Sequence, residues 1–431
     1  MAKKIQIVFT DEQWQAISSL RGMMGKSDAD LVRNIAMSWL SEKSPLKLKG
    51  ETGKFYFVDL FAGAGGLSTG LEMAGFECVL GIDSDKAAMR TFKMNHPAAT
   101  VYDDDITNVS EEKLRELIGN KRIRLVCGGP PCQGMSTVGK GNPNDPRNFL
   151  FIEFVRIVSI IKPDYLILEN VTGMLSKKNK PIVDSIIKEF GKLGYNLEAR
   201  VLTASHYGVS QRRRRTIFMG NRLGYTTIWP EPQYDDKGKL PARTVGDAIR
   251  YLSAPDGETY NNDVESAMVT NDMDIQRLNC IPEGCGIRYQ DDEAKYLPKN
   301  LRLGVDWGVV PEGRFRQTKY QRLDRRKPSP TIMTGRYSYY HPVEQRFITV
   351  REAAAIQSFP NSFIFEGTIS QQWRQVGNAV PPLLAKALGE AVLFTDKRKA
   401  VHDGSIKDVE NIGKRAFYYI KKPIGAEQKH L

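Results

Sequence analysis

The stretch GGPPCQGMS at 128–136 ends an apolar run, Ile123, Leu125 and Val126, and places a lone cysteine, Cys132, behind two prolines. A β-strand cannot keep pairing through Pro130 and Pro131, because proline has no N–H to donate and a fixed φ. Cys132 is therefore expected at the strand's carboxyl end or just beyond. In an open α/β sheet ligands bind at that edge. Gly128, Gly129 and Gly134 would let a substrate approach the backbone, and a thiol held there is a nucleophile wherever a neighbour favours its thiolate. A free cysteine is also often a small buried hydrophobe, so this residue alone does not decide.

Two further constellations could do chemistry. FVDLFAGAGGLSTG at 57–70 reads as a strand, a glycine turn and a helix start, whose amides and dipole can hold a carboxylate or phosphate. Counting from Gly63, the dinucleotide pattern GxGxxG needs glycine where Ser68 stands, which disfavours a dinucleotide. Asp83 lies 20 residues beyond Gly63 and after the next strand, where an acid commonly accepts hydrogen bonds from ribose hydroxyls. An adenosine-containing cofactor follows. Asp105, after the next short extended run, is placed to bind its adenine amino group, with Asp103 and Asp104 solvated beside it. QRRRR at 211–215 runs directly into Thr216, Ile217, Phe218 and Met219, which makes it the wall of a site. Alternation along a strand puts Arg213 and Arg215 on one face and leaves Arg212 and Arg214 for phosphates.

The elements that must position these residues alternate from Lys54 onward: FYFVDL, a helix from about Gly66 to Met73, CVLGID, a helix over 85–94, RLVCGG, a helix over 148–161, YLILEN, and a helix over 181–192. Short apolar strands separated by helices predict an α/β fold with a doubly wound, mostly parallel sheet. The helix after the cysteine carries Leu150, Phe154 and Ile157 on one side, the pattern of a core face. Between 222 and 345, Pro, Gly and Asp punctuate the chain, as in a smaller, mostly β or irregular domain. Helices return at 349–358 and 380–394. The expected division is a module at 1–45, a linker at 46–53, a main domain at 54–221 completed by 346–395, the smaller domain at 222–345, and a basic tail at 396–431.

Composition bounds the partners. The chain is 41% hydrophobic and 26% charged, ordinary for a globular protein. No apolar run reaches membrane-spanning length and the start lacks a secretory leader, so a cytoplasmic protein is expected. Five cysteines without CxxC and five scattered histidines without HExxH give no reason to expect a metal. With 62 Lys and Arg against 50 Asp and Glu, the net charge of +12 suits a polyanion. The excess is uneven: residues 312–346, Arg322, Arg325 and Arg326 among them, form a basic strip interleaved with Phe315, Tyr320, Tyr337, Tyr339 and Tyr340, the look of a nucleic-acid surface.

DLFAGAGG, PPCQ, ENV at 169–171, QRRRR, REAAAIQSFP at 351–360 and QVGNAVPP at 375–382 stand in the order found in the DNA (cytosine-5) methyltransferases. Over about residues 54–395 the chain resembles that family, in its bacterial restriction-modification form. The resemblance implies a sheet of the S-adenosylmethionine-dependent methyltransferase type, S-adenosylmethionine as cofactor and duplex DNA as partner. It implies that Cys132 adds as thiolate to cytosine C6, and that Glu169 hydrogen-bonds the N3 and exocyclic amine edge of the ring. Arg215 would contact the flipped base, and Arg213 would orient the pocket. Asp59, Phe61, Gly63, Gly65, Asp83, Asp105 and Leu150 would serve the cofactor. Asn378, in a Gly-Asn turn before Pro381 and Pro382, would support cofactor and active-site loop. Residues 133–148, beginning with Gln133 as a DNA contact, resemble the loop that closes over a base swung out of the duplex at a cost of a few kcal/mol. Sequence choice would fall to 222–345.

Residues 1–45 resemble the ribbon-helix-helix fold: Lys4, Gln6 and Val8 alternate with Ile5, Ile7 and Phe9, and two helices follow, capped at Thr10 or Asp11 and at Ser27 or Asp28. Lys4 and Gln6 would then face DNA bases, and the module would self-associate and bind an operator; a plain packing extension is the alternative. Two other readings stay open at this point, a tRNA cytosine-5 methyltransferase on the same scaffold and a DNA-binding regulator. A bacterial cytoplasmic location, at the nucleoid through DNA, accompanies the first reading.

Overall fold

The structure, a computed structural model, describes residues 9–18, 28, 32, 54–130, 150–309, 314–335 and 339–398. The chain divides into two compact units, Met1–Lys54 and Phe55–Leu431. In the first, helix α1 (Asp11–Ser18) starts on a reciprocal cap: Gln13 N–H donates to Thr10 Oγ1, and Thr10 N–H donates to Gln13 Oε1. Phe9 packs on Trp14 across the cap at 5.9 Å between ring centroids, a hydrophobic staple that fixes the entry of the chain. Asp28 and Val32 are helical. The expected strand at 4–9, with Lys4 and Gln6, falls almost wholly outside the described residues.

The second unit is built on seven strands: β1 (Phe55–Leu60), β2 (Phe76–Ile82), β3 (Thr100–Tyr102), β4 (Ile123–Gly128), β5 (Tyr165–Val171), β6 (Asn196–Thr203) and β7 (Arg214–Asn221), in the order β3-β2-β1-β4-β5-β7-β6. Every pair is parallel except those of β7, which is antiparallel to both β5 and β6. Alternate residues feed two apolar layers. Leu125, Cys127 and Ile167 face one, with Leu67 and Leu71 of α2 (Gly66–Met73) and Met89 and Phe92 of α3 (Lys86–Asn95). Val126, Leu166 and Leu168 face the other, with Leu114 of α4 (Glu111–Ile118), Phe154 and Ile157 of α5 (Leu150–Ile161) and Phe190 of α6 (Lys180–Lys192).

Residues 222–345 hold short helices, α7 (Val245–Ile249), α8 (Asp272–Cys280) and α9 (Gln290–Tyr296), and a two-stranded antiparallel sheet of β8 (Ile287–Tyr289) and β9 (Arg314–Lys319). Their apolar clusters are small. Arg322, expected on a DNA surface, is instead buried, its guanidinium donating to the carbonyls of Leu278, His341, Pro342 and Glu344. Tyr340 is buried as well, stacked between Tyr320 and Phe347. The strip at 312–346 is thus in part an internal brace, because a guanidinium can satisfy several carbonyls at once where no sheet is present to do so.

The chain returns through α10 (Val350–Ile356), α11 (Ile369–Asn378) and α12 (Pro382–Arg398). Capping boxes open the first two, Thr349 with Glu352 and Thr368 with Gln371. Leu384, Ala385 and Leu388 of α12 complete the layer holding Leu67 and Leu71. The approach is close: a Cβ on Gly66 would lie 2.5 Å from the Val380 carbonyl oxygen, and one on Gly70 would overlap the Pro382 carbonyl. Among the described residues no helix is long and apolar enough to cross a membrane.

Candidate active site

Strand order reverses between β1 and β4, the switch point where an open sheet leaves a crevice beyond its carboxyl ends. The turn after β1 flanks it. Phe61, Gly63 and Gly65 all have positive φ, 61°, 54° and 91°; the value at Phe61 is uncommon for a residue with a side chain and costs on the order of 1 kcal/mol. Gly63 N–H donates to Asp83 Oδ2 at 2.9 Å, so the acid read as a ribose acceptor also clamps the glycine turn. Burial raises the Asp83 carboxyl above its ordinary range. Asp105, beyond β3, is exposed and caps the next turn through Thr107, standing beside Asp83 at the same sheet edge because Asp83 N–H pairs with the Tyr102 carbonyl.

Asp59, the fifth residue of β1, is buried. It is 1% exposed, its Oδ2 accepts from Ser68 Oγ at 2.6 Å, and burial pushes its pKa up to about 7. Ser68, in place of the third dinucleotide glycine, is the residue that bonds its Oδ2. Leu150 opens α5 and packs, partly buried, against the apolar layer, as its spacing indicated.

Across the switch point, antiparallel pairing of β5 with β7 brings two distant motifs together. Arg215 Nε lies 2.7 Å from Glu169 Oε1, with the side chains 15% and 13% exposed. Arg213 is fully buried and donates to the carbonyls of Ile332, Gly377 and Asn378 at 3.3, 2.8 and 3.4 Å. Its burial, with Arg215 nearby, lowers its pKa. Strand β7 begins only at Arg214, yet the alternation holds: Gln211 and Arg213 point in, and Arg212 and Arg214 are exposed. Arg212 is paired with Asp235 at 3.3 Å. Asn378 is the last residue of α11 rather than part of an open turn, and its carbonyl is what Arg213 holds.

Cys132, Gln133 and the loop at 133–148 lie outside the described residues, but the chain leading to them does not. Asn170 Nδ2 donates to the Pro130 carbonyl at 3.2 Å. A Cβ on Gly129 would come 3.0 Å from Glu169 Oε2. Gly129, read from the sequence as a point of close approach, thus meets the carboxylate itself, and Asn170, to which the sequence reading gives no role of its own, holds the chain before Cys132; ENV is the signal for it. Arg325 and Arg326 are at the surface, already paired with Glu283 and Asp324.

A sheet in this order, with β7 reversed and a glycine turn facing a carboxylate across the switch point, is a methyltransferase frame. The family model for C-5 cytosine-specific DNA methylases matches residues 55–393, and the chain belongs to that family, as a DNA (cytosine-5) methyltransferase. It is similar to Type II methyltransferase M1.HphI of Haemophilus parahaemolyticus, 36% identical over 343 residues, 78% of this chain and 86% of the relative. It is also similar to Type II methyltransferase M.DdeI of Desulfomicrobium norvegicum, 32% identical over 397 residues, 84% and 94% of the two chains. Among solved structures, a DNA modification methyltransferase encoded within an E. coli prophage shares the fold, with a TM-score of 0.61 at 24% identity over 80% of this chain and all of the other.

Proposed function

We propose that the chain methylates C5 of a cytosine swung out of a specific duplex sequence, with S-adenosylmethionine as methyl donor, as the modifying member of a restriction-modification pair. The observation that carries this is the meeting of Glu169, paired to Arg215, with the chain that Asn170 grips two residues before Cys132. Cytosine C5 is a poor nucleophile. The Cys132 thiolate adds to C6 and makes C5 enamine-like. Glu169, fixed by Arg215, hydrogen-bonds the N3 and amine edge and stabilises charge as the thiolate adds. When bound, S-adenosylmethionine would supply an electrophilic methyl to C5, its sulfonium leaving as the thioether S-adenosylhomocysteine. Transfer of the C5 proton to a water base then lets the C6–S bond break, the C5–C6 double bond re-form and the Cys132 thiolate leave.

The 61–65 turn suits such a donor: space is open where a Cβ on Gly63 would point, and Asp83 and Asp105 stand at neighbouring strand ends. Arg212, Arg214 and Gln133 meet phosphates and bases around the flipped nucleotide, and residues 222–345 choose the sequence. Residues 54–221 and 346–395 form the catalytic body. The 1–45 unit adds a second DNA contact, tested by gel shift of the whole chain against one starting at Lys54; equal operator affinity would remove that part.

Duplex DNA carrying 5-fluorocytosine should become covalently attached in the presence of donor, and Cys132→Ser should abolish attachment. Methyl transfer to duplex DNA with no adduct from the wild-type chain would overturn the covalent route. Label entering only tRNA would overturn the substrate.

A further inference from the structure

Beneath the glycine turn lies a histidine that none of these roles uses. His96 follows α3 as its C-cap residue, is 3% exposed, and packs its ring on Phe92 at 4.5 Å and on Phe363 at 6.5 Å between centroids. A histidine buried among aromatic rings is commonly nothing more than core. The contacts of this one, however, run to the backbone of the turn. Its ring fills the space where a side chain at position 65 would stand, so that a Cβ on Gly65 would overlap Nε2. Gly65 has φ 91° and serves as the N-cap of α2 with no side chain to close it.

The hydrogen bonds have a direction. The Gly65 carbonyl accepts from Thr69 N–H and from Thr69 Oγ1, both at 2.7 Å. His96 Nε2 lies 3.4 Å from the same Thr69 Oγ1, so the hydroxyl links the ring to the Gly65 carbonyl. Nδ1 faces Glu72 Oε2 at 2.8 Å and donates there. Glu72, His96, Thr69 and the Gly65 carbonyl therefore form one chain, ending on the backbone that turns beneath the crevice.

We infer that His96 is a positioning residue for the methyl donor, holding the 61–65 turn in its binding shape through Thr69 and the Gly65 carbonyl. The inference rests on the reading that this turn receives S-adenosylmethionine. Phe92 and Phe363 keep the ring still, Glu72 fixes which edge faces Thr69, and the absence of a Cβ at Gly65 lets the ring reach its place. His96 touches no reacting atom, so its effect falls on donor affinity rather than on the chemical step.

His96→Phe keeps the ring volume and removes both ring nitrogens. With duplex DNA saturating, KM for S-adenosylmethionine should rise about tenfold, the worth of a lost hydrogen bond to a charged partner, while kcat and KM for DNA stay within about twofold. Thr69→Val, which removes only Oγ1, should shift the same KM in the same direction by a smaller factor. His96→Gln, which can still hydrogen-bond toward Thr69, should recover part of the loss. Unchanged donor KM in both His96→Phe and Thr69→Val overturns the inference. Should His96→Phe not fold, Thr69→Val and His96→Gln carry the test, and unchanged donor KM in both overturns it equally. Direct binding of S-adenosylmethionine to the wild-type chain by calorimetry separates the two levels: no saturable binding sinks the reading of the turn, whereas wild-type binding with equal affinity in the variants sinks only the role of His96.

Discussion

The sheet and the segment at 222–345 are held together by different means. In the sheet, alternating apolar residues of β4 and β5 fill two continuous layers, and the strands pair edge to edge beneath them. In 222–345, the apolar clusters are small, and single charged side chains turned inward fix the backbone. Arg322 holds four carbonyls, Arg277 holds those of Leu301 and Arg302, and Glu293 accepts from the Leu303 amide and the Trp307 indole. A layered core spreads its stability over many contacts and tolerates volume-conserving exchanges. A brace concentrates it, since removing one guanidinium orphans several buried carbonyls together. The frame that carries the chemistry is therefore robust, while the segment proposed to read DNA rests on a few replaceable residues.

Arg213 is where the sheet region borrows the brace, and it gives the sharpest test. Arg213→Leu should cost about 3 kcal/mol or more in urea unfolding and abolish methyl transfer, because two returning segments lose their tie to β7; a loss well under 1 kcal/mol would break the comparison. Arg322→Leu should cost about 2 kcal/mol. Its damage should stay local, with discrimination among DNA sites lost and S-adenosylmethionine binding kept, and an equal loss of donor binding would contradict the separation.

Gly129→Ala should leave the unfolding midpoint unchanged but lower kcat about tenfold, since the methyl group presses on the carboxylate that Arg215 positions. For Asp59 the sign follows from burial: its folded pKa of about 7 lies above the ordinary value of 3.8. The stabilisation is thus fully present below pH 3.8 and is lost as pH rises through 7. Asp59→Asn should flatten that slope in unfolding free energy against pH, and an unchanged slope would remove Asp59 as its source. Smallest of all, Arg326→Ala should leave the unfolding midpoint where it is, because Arg326 is an exposed partner of Asp324.

These two modes also account for what could be read from the residues alone. Strands β1, β2, β4 and β5 announce themselves as short apolar runs, and their helices follow in turn. Strand β6, with the mixed sequence NLEARVLT, and α4, where Leu114 is the one residue fully buried, carry too weak a pattern to be seen. The Glu169 and Arg215 pair depends on β7 running antiparallel to β5, which local pattern does not specify. Charge misled where it mattered for folding: nothing in a run of basic residues tells an inward arginine such as Arg322 from an outward one such as Arg326.

The seating of α12 on α2 has a temporal side. Leu384, Ala385 and Leu388 fill a layer whose other walls are laid down some three hundred residues earlier, with Gly66 and Gly70 kept bare to receive them. During synthesis, everything from Phe55 to the end of the reading segment must wait on the ribosome with that face uncovered, and competence to mark a genome arrives only with the last helix. Until α12 seats, the uncovered apolar flank is open to chaperones or aggregation.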